Sequence, residues 1–243
     1  MTKHGELIVI TGASRGIGLA LVNRFLDAGF PVLAIARDTA SMKAHDNLTT
    51  LDADLAGQAG IARVSDRVAA LGLPVAVLIN NAGVQNAIDL TRPEIANPEC
   101  PDLIRDEIAL NLTAPILLAL ALLPFMLRPD GTIVNVTSLV SRQPKPSAPV
   151  YSASKAGLAS FTQALRVQLC SQGVRVVEAV PPLVDTAMTS GRGKGKISPE
   201  AMADAILEGV ANQRQTVAPG LSRRVLVLNR LLPELVRRIL ARS

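Results

Sequence analysis

The stretch Tyr151-Ser-Ala-Ser-Lys155 carries the most chemistry in this chain, a phenol and an ammonium four residues apart. On a helix that spacing puts both side chains on one face, a turn apart, so the positive charge favours the ionised phenolate. A phenol tuned in this way gives and takes protons at a reacting oxygen. Taken alone, the pair is equally an ordinary surface contact worth only a few tenths of a kcal/mol. Its meaning depends on what the chain places upstream.

Upstream, residues 7–10 (LIVI) form a short apolar run that reads as a buried strand, followed at once by Thr11-Gly-Ala-Ser-Arg-Gly-Ile-Gly18. Residues 19–28 then place Leu21, Val22, Phe25 and Leu26 at helical spacing. A strand, a glycine-rich turn and a helix, in that order, aim backbone N–H groups and a helix N-terminus at a pyrophosphate. Gly12 permits the turn, Gly16 the approach of the ligand and Gly18 close helix packing, with Ser14, Arg15 and Ile17 completing the cofactor loop. The next strand, 32–36, ends in Ala36-Arg37-Asp38. An acid at that strand end would bind a ribose 2′-hydroxyl, whereas alanine followed by Arg37, with Arg15 nearby, favours a 2′-phosphate and hence NADP(H) over NAD(H). The other use of Arg37 is as a solvated loop residue. Asp54, beside Leu55 and after a third strand at 48–51, has two uses: accepting the adenine amino group, or capping the helix at 58–71.

A strand at 75–79 leads to Asn80-Asn-Ala-Gly83. The combination of TGASRGIG at 11–18, NNAG at 80–83 and YSASK at 151–155 resembles the short-chain dehydrogenase/reductase family over residues 5–190. The resemblance implies an α/β single-domain Rossmann fold, a doubly wound parallel sheet of six to seven strands in the order 3-2-1-4-5-6-7 with helices on both faces. It implies an NAD(P)-dependent oxidoreductase acting on a CH–OH group, with a small carbonyl or alcohol as substrate. Its catalytic set falls on Ser138, Tyr151, Lys155 and Asn111: Tyr151 protonates the carbonyl oxygen, Ser138 polarises it, and Asn111, at a main-chain kink, holds a relay water behind Lys155. Cofactor contacts fall on Asn81, Ala82 and Gly83, on Tyr151 and Lys155, on the Val184 backbone and on Thr186. The family has Pro-Gly after the sixth strand (174–180) and this chain has Pro181-Pro182, which removes a donor beside the nicotinamide.

Composition narrows the rest. Two histidines and two separated cysteines leave no metal site, disulfide framework or Ser/His/Asp triad. The net charge of +5 is uneven, with 15 basic against 16 acidic residues up to Asp185 and 10 against 4 beyond it. Without basic-aromatic interleaving, a nucleic-acid partner is not expected. The polar N-terminus shows no cleavage pattern, so a cytoplasmic location is expected, and the apolar run at 114–127 is shorter than a membrane span. Prolines 144, 146 and 149 exclude helix from 142–149, a stiff loop facing the substrate. The pocket is expected to be lined by Val84, Gln85, Leu139, Val140, Pro144, Pro182 and Met188.

Residues 187–198, alternating glycine with Arg192, Lys194 and Lys196, read as a mobile lid. The tail, 222–243, sets Leu228, Leu231, Leu232, Leu235, Ile239 and Leu240 in a stripe, with Arg230, Arg237, Arg238 and Arg242 around it. It either folds back on the domain or a partner subunit, or lies on an anionic membrane. Helices at 103–127 and 151–171 are apolar on more than one face and imply a homodimer. Two other functional classes fit parts of the chain: a cofactor-sensing regulator on the same fold, and a membrane-surface protein acting through its tail.

Overall fold

The structure, a computed structural model, describes residues 5–86, 88, 100–126, 128–191, 193–232 and 234. Apolar runs of five or six residues become strands buried on both faces, as a covered parallel sheet requires: β1 (Leu7–Thr11), β2 (Val32–Ala36), β4 (Val75–Asn80) and β5 (Thr132–Val136). With β3 (Leu48–Asp52), β6 (Arg175–Ala179) and the two-residue β7 (Thr216–Val217), they form one parallel sheet ordered β3-β2-β1-β4-β5-β6-β7. This is the expected doubly wound order. The order in which strands are added reverses between β1 and β4, which pair in parallel from Leu7↔Val75 to Ile10↔Ile79. That reversal opens a crevice at the C-terminal strand ends, where such sheets bind ligands.

Helices cover both faces. On one, α1 (Gly16–Asp27) and α6 (Pro199–Ala211) bring Leu21, Phe25, Met202 and Ile206 onto Ile8, Ile10 and Ile79. On the other, α2 (Gln58–Leu71), α4 (Ala114–Leu122) and α5 (Pro149–Leu169) bring Val64, Leu118, Leu122 and Leu165 onto Val9, Leu33 and Leu78. Each leucine or isoleucine buried this way contributes about 2 kcal/mol.

Three sequence expectations change. Pro149 does not exclude helix: it is the first residue of α5, where a missing N–H has no helical partner to lose. Asp54 does not cap α2, whose N-cap is Gly57; its carboxylate accepts the Ala56 N–H at 3.0 Å in a local turn. The apolar run at 114–127 belongs to a longer helix, α3 (Cys100–Ile108) continuing through a π-turn (Ala109–Thr113) and α4 to a 3₁₀ turn (Leu123–Phe125). Its length and composition suffice to cross a membrane, but it lies along the sheet with Ala114, Leu118, Ala119 and Leu122 in the core. Leu127 lies outside the described residues.

Of the expected tail stripe, the described part is α7 (Leu221–Leu231) and Leu232. This helix folds back onto the loop after β5, where Gln143 Nε2 donates to Asn229 Oδ1 at 2.6 Å. Arg192 of the lid, and Leu235, Arg237, Arg238, Ile239, Leu240 and Arg242 of the tail, lie outside the described residues.

The same loop is held from beneath by charge. Glu178 on β6, 3% exposed, accepts from Arg142 Nη2 at 2.7 Å and from Thr137 Oγ1 at 2.9 Å. Removing the cation strands a desolvated carboxylate. Arg142→Met is expected to destabilise the protein by about 3 kcal/mol, read as a lower urea midpoint. The double variant Arg142→Met/Glu178→Gln should recover at least half of that loss; equal midpoints for the single and double variants would contradict the pairing.

Candidate active site

The glycine turn and the end of β4 are built as one object. Thr11 Oγ1 accepts the N–H groups of Asn81 and Ala82, each at 3.0 Å. Asn81 Nδ2 returns to the carbonyls of Thr11 at 2.9 Å and Gly12 at 3.2 Å. The side chain of Asn81 thus clamps the turn, and only its neighbours' main chain is left to face a cofactor. Gly18 is demanded by packing, since a Cβ there would lie 2.0 Å from the Gly12 carbonyl oxygen. No side chain caps α1 at Arg15, and its first turn holds no acid. Its leading N–H groups are therefore available to an anion.

At the far side of the crevice, α5 carries Tyr151 and Lys155 and the end of β5 carries Ser138. Lys155 is 4% exposed and donates from Nζ to the Val136 carbonyl at 2.9 Å, two residues before Ser138. Its Nζ sits 5.9 Å from the Tyr151 ring centroid. Burial lowers the Lys155 ammonium from its ordinary value to about 8, against an opposing pull from the Glu107 carboxylate. Ser138 begins the 3₁₀ turn Leu139–Ser141, which packs on α5, and its Oγ accepts the Val140 N–H at 3.4 Å.

Asn111 lies inside the π-turn, which is the main-chain irregularity expected there. Fully buried, it accepts the Val84 N–H at 2.9 Å and donates to the Val84 carbonyl at 2.8 Å and to Ser154 Oγ at 3.2 Å. Gly83 separates it from the lysine: a Cβ on Gly83 would stand 3.1 Å from Asn111 Oδ1 and 3.4 Å from Lys155 Nζ. The four expected catalytic residues thus occupy adjoining elements, with Gly83 as the common wall between two of them.

The remaining cofactor residues line the opposite lip. Arg15 and Arg37 are exposed, and neither side chain has a hydrogen bond or ion pair among the described residues. The Leu55 side chain is in the core, so only its main chain can face a ligand. Asp54 is exposed beside it. Val184 gives its carbonyl to the Thr189 hydroxyl, and no described acceptor takes its N–H. Thr186 and Thr189 cap each other, and the Thr186 methyl would lie 3.0 Å from a Cβ on Gly16. The Pro182 substitution therefore leaves the Val184 N–H in place one turn later. The lid stem is pinned, with Lys196 Nζ donating to the Thr189 carbonyl at 2.7 Å and Asp185 N–H to the Ile197 carbonyl at 2.9 Å.

Free helix N–H groups, a turn that excludes a Cβ, two unpaired arginines at the β2 lip and an open Val184 N–H together fit a nicotinamide dinucleotide carrying a 2′-phosphate. Of the expected pocket residues, Val140 and Pro144 line a cavity of about 450 Å³. Its lining on α5 is Ser152, Ala153 and Ala156, and neither Tyr151 nor Lys155 is among its lining residues.

Sequence reasoning passed over Thr11, Glu107, Ser154 and the buried chain in which Asn80 Nδ2 donates to Asn135 Oδ1 at 2.8 Å and Asn135 Nδ2 to Thr162 Oγ1 at 2.9 Å. Asn135, a polar residue inside the apolar run TIVNV, was the available signal for that chain. Glu107 had none beyond lying four residues before Asn111.

Known proteins match this arrangement. The family model for short chain dehydrogenase matches residues 6–196. An uncharacterized oxidoreductase, DltE, of Bacillus subtilis (strain 168) is 33% identical over 228 residues, covering 89% of each chain. A short chain dehydrogenase from Burkholderia cenocepacia J2315, solved in complex with NADP, superposes with a TM-score of 0.86 at 26% identity over 99% of both chains. A short-chain dehydrogenase from Sphingobium yanoikuyae in complex with NADPH gives 0.76 at 27% identity, over 95% of this chain and 94% of that one. The family match over residues 6–196 and the 33% identity to DltE show that the chain belongs to the short-chain dehydrogenase/reductase family of oxidoreductases.

Proposed function

We propose that the protein is an NADP(H)-preferring oxidoreductase that interconverts a small-molecule carbonyl and its secondary alcohol, with Tyr151 as general acid and base. The observation that carries this reading is the desolvated Lys155 ammonium, anchored on the Val136 carbonyl and set 5.9 Å from the Tyr151 ring. A charge buried at such expense has a task when a proton donor stands beside it.

The bound nicotinamide supplies or takes the hydride. The protein's own groups handle position and protons. In reduction the Tyr151 hydroxyl gives its proton to the carbonyl oxygen, and the Lys155 ammonium stabilises the phenolate left behind. Ser138, at the same strand end, donates a hydrogen bond to the oxygen on which negative charge builds. Asn111 fixes Val84 from both its N–H and its carbonyl, holding the wall that keeps Lys155 in place. Oxidation of the alcohol uses the same groups in reverse. The anionic end of the cofactor falls to the N-terminus of α1 and to Arg15 and Arg37, and the Val184 N–H remains for the carboxamide.

The family's mode of association also fits the surface. Leu120 on α4 is 71% exposed and Val167 on α5 is 78% exposed, large apolar groups on the outward faces of the two helices expected to pair in a homodimer.

Three outcomes test this reading. Tyr151→Phe should bind NADPH with unchanged affinity in a fluorescence titration while losing about 1,000-fold in reductase kcat; a rate within threefold of wild type rejects the assignment. Arg37→Ala should raise KM for NADPH about tenfold and leave KM for NADH nearly unchanged, the loss of one charge-assisted contact to phosphate; equal effects on both cofactors would remove the argument for NADP preference. Light scattering at micromolar concentration should give twice the chain mass, falling toward the monomer in Leu120→Asp/Val167→Asp, and a monomeric wild type contradicts the pairing.

A further inference from the structure

Two carboxylates of the described core are fully desolvated, and they are treated differently. Glu178 has both oxygens occupied, by Thr137 and Arg142. Glu107, on α3 one turn before Asn111, is 0% exposed and has only one: Oε2 accepts the Asn86 N–H at 2.8 Å, and Oε1 has no partner. A carboxylate removed from water with one oxygen unpaired is destabilised unless a cation lies close.

Among the described residues, the cation whose charge acts on Glu107 is Lys155, with no direct ion pair between them. Asn111 and Glu107 together fasten the segment after NNAG, Asn111 through Val84 and Glu107 through Asn86, whose Nδ2 also donates to the Leu103 carbonyl at 3.2 Å. The Lys155 ammonium meets that segment at Gly83, where the Cβ position lies 3.4 Å from its Nζ and 3.1 Å from Asn111 Oδ1. Among the described residues, no other ionisable group faces Glu107 from α5 or from the segment at 81–86, whose side chains are uncharged. The remaining acids and base of α3, Asp102, Arg105 and Asp106, are exposed.

We propose that Glu107 is a positioning residue for the reaction, a buried counter-charge that acts across the 83–86 segment to keep the Lys155 ammonium charged beneath Tyr151. The inference rests on the proposed roles of Tyr151 and Lys155. The electrostatics agree in direction: burial pushes the Glu107 carboxyl up, with the Asn86 bond and the Lys155 charge opposing it, and Glu107 in turn raises the lysine. Without the carboxylate, nothing described offsets the desolvation of the lysine except one main-chain carbonyl. The lysine then loses its proton at lower pH, and with it the field that stabilises the tyrosinate.

The experiment is a pair of titrations on wild type and Glu107→Gln, both loaded with NADP⁺ for the first and assayed with NADPH for the second. In the first, the ε-carbon resonance of Lys155 is followed by NMR with ¹³C-labelled lysine. Its midpoint should lie lower in the variant than in wild type, because the carboxylate that raises it is gone. In the second, the alkaline fall of reductase kcat/KM should move by a similar amount while the dissociation constant for NADPH changes less than twofold. Glu107→Asp, which keeps the charge, should restore most of both. Superimposable Lys155 titrations in wild type and Glu107→Gln overturn the proposal. If wild type turns over no carbonyl, the functional reading fails and the NMR titration still decides the counter-charge. Should Glu107→Gln not fold, wild type decides alone: the Lys155 resonance should carry a second, acid-side inflection as Glu107 takes its proton, and a single inflection overturns the proposal.

Discussion

An ammonium held out of water at the open end of a parallel sheet is the constraint on which the rest of this structure depends. Desolvating an ion is unfavourable by several kcal/mol even after relaxation, so everything next to Lys155 must be placed to offset it. The Val136 carbonyl receives its proton donor at 2.9 Å. Gly83 adds no Cβ beside it, where one would stand 3.4 Å from Nζ and crowd Asn111 Oδ1 at 3.1 Å. Asn111 fixes the segment that follows, and it can do so because the π-turn at Ala109–Thr113 shifts the helix register there. The buried ammonium and the elements around it are thus one packing problem, in which β4, β5, the long helix and α5 share a single charged residue.

The sheet solves the second half of that problem by its order. Reversal between β1 and β4 brings the glycine turn and the NNAG segment together, and Thr11 and Asn81 bond them directly. Cofactor phosphate and reacting centre are therefore referenced to the same pair of strands. Behind them, the buried chain from Asn80 through Asn135 to Thr162 ties β4 and β5 to α5, which carries Tyr151. Its bonds are strengthened by the low-dielectric interior, although Asn80 Oδ1 itself has no partner among the described residues.

Much of this was legible in the chain. Apolar runs bounded by glycine and proline gave β1, β2, β4 and β5, because strands buried on both faces need no alternation. The spacing between Tyr151 and Lys155 is a local helical property and reads directly. The order of the sheet and the partners of Ser138 and Asn111 came through resemblance, since contacts between residues tens of positions apart leave no local pattern. Pro149 was misread because the same missing N–H that breaks a helix interior is harmless at its first position. Of the two uses of Asp54, the helix cap falls away because an aspartate three residues before a glycine N-cap has a closer donor, the Ala56 N–H. Glu107 was invisible for a different reason: on an α3 rich in exposed charge, one acid facing inward looks like its neighbours until burial is known.

The contact between Gln143 and Asn229 has a consequence for anyone handling the protein. The helix α7 reaches back to the loop that starts at Ser138, so the end of the chain and the mouth of the active site share a mechanical support. A purification tag or fluorescent fusion placed just after that helix pulls on the substrate loop, whereas the same label before β1 hangs from the opposite end of the strands. Exchanging α7 between two relatives would also exchange the side chain that holds Gln143, and with it a support of the loop after β5.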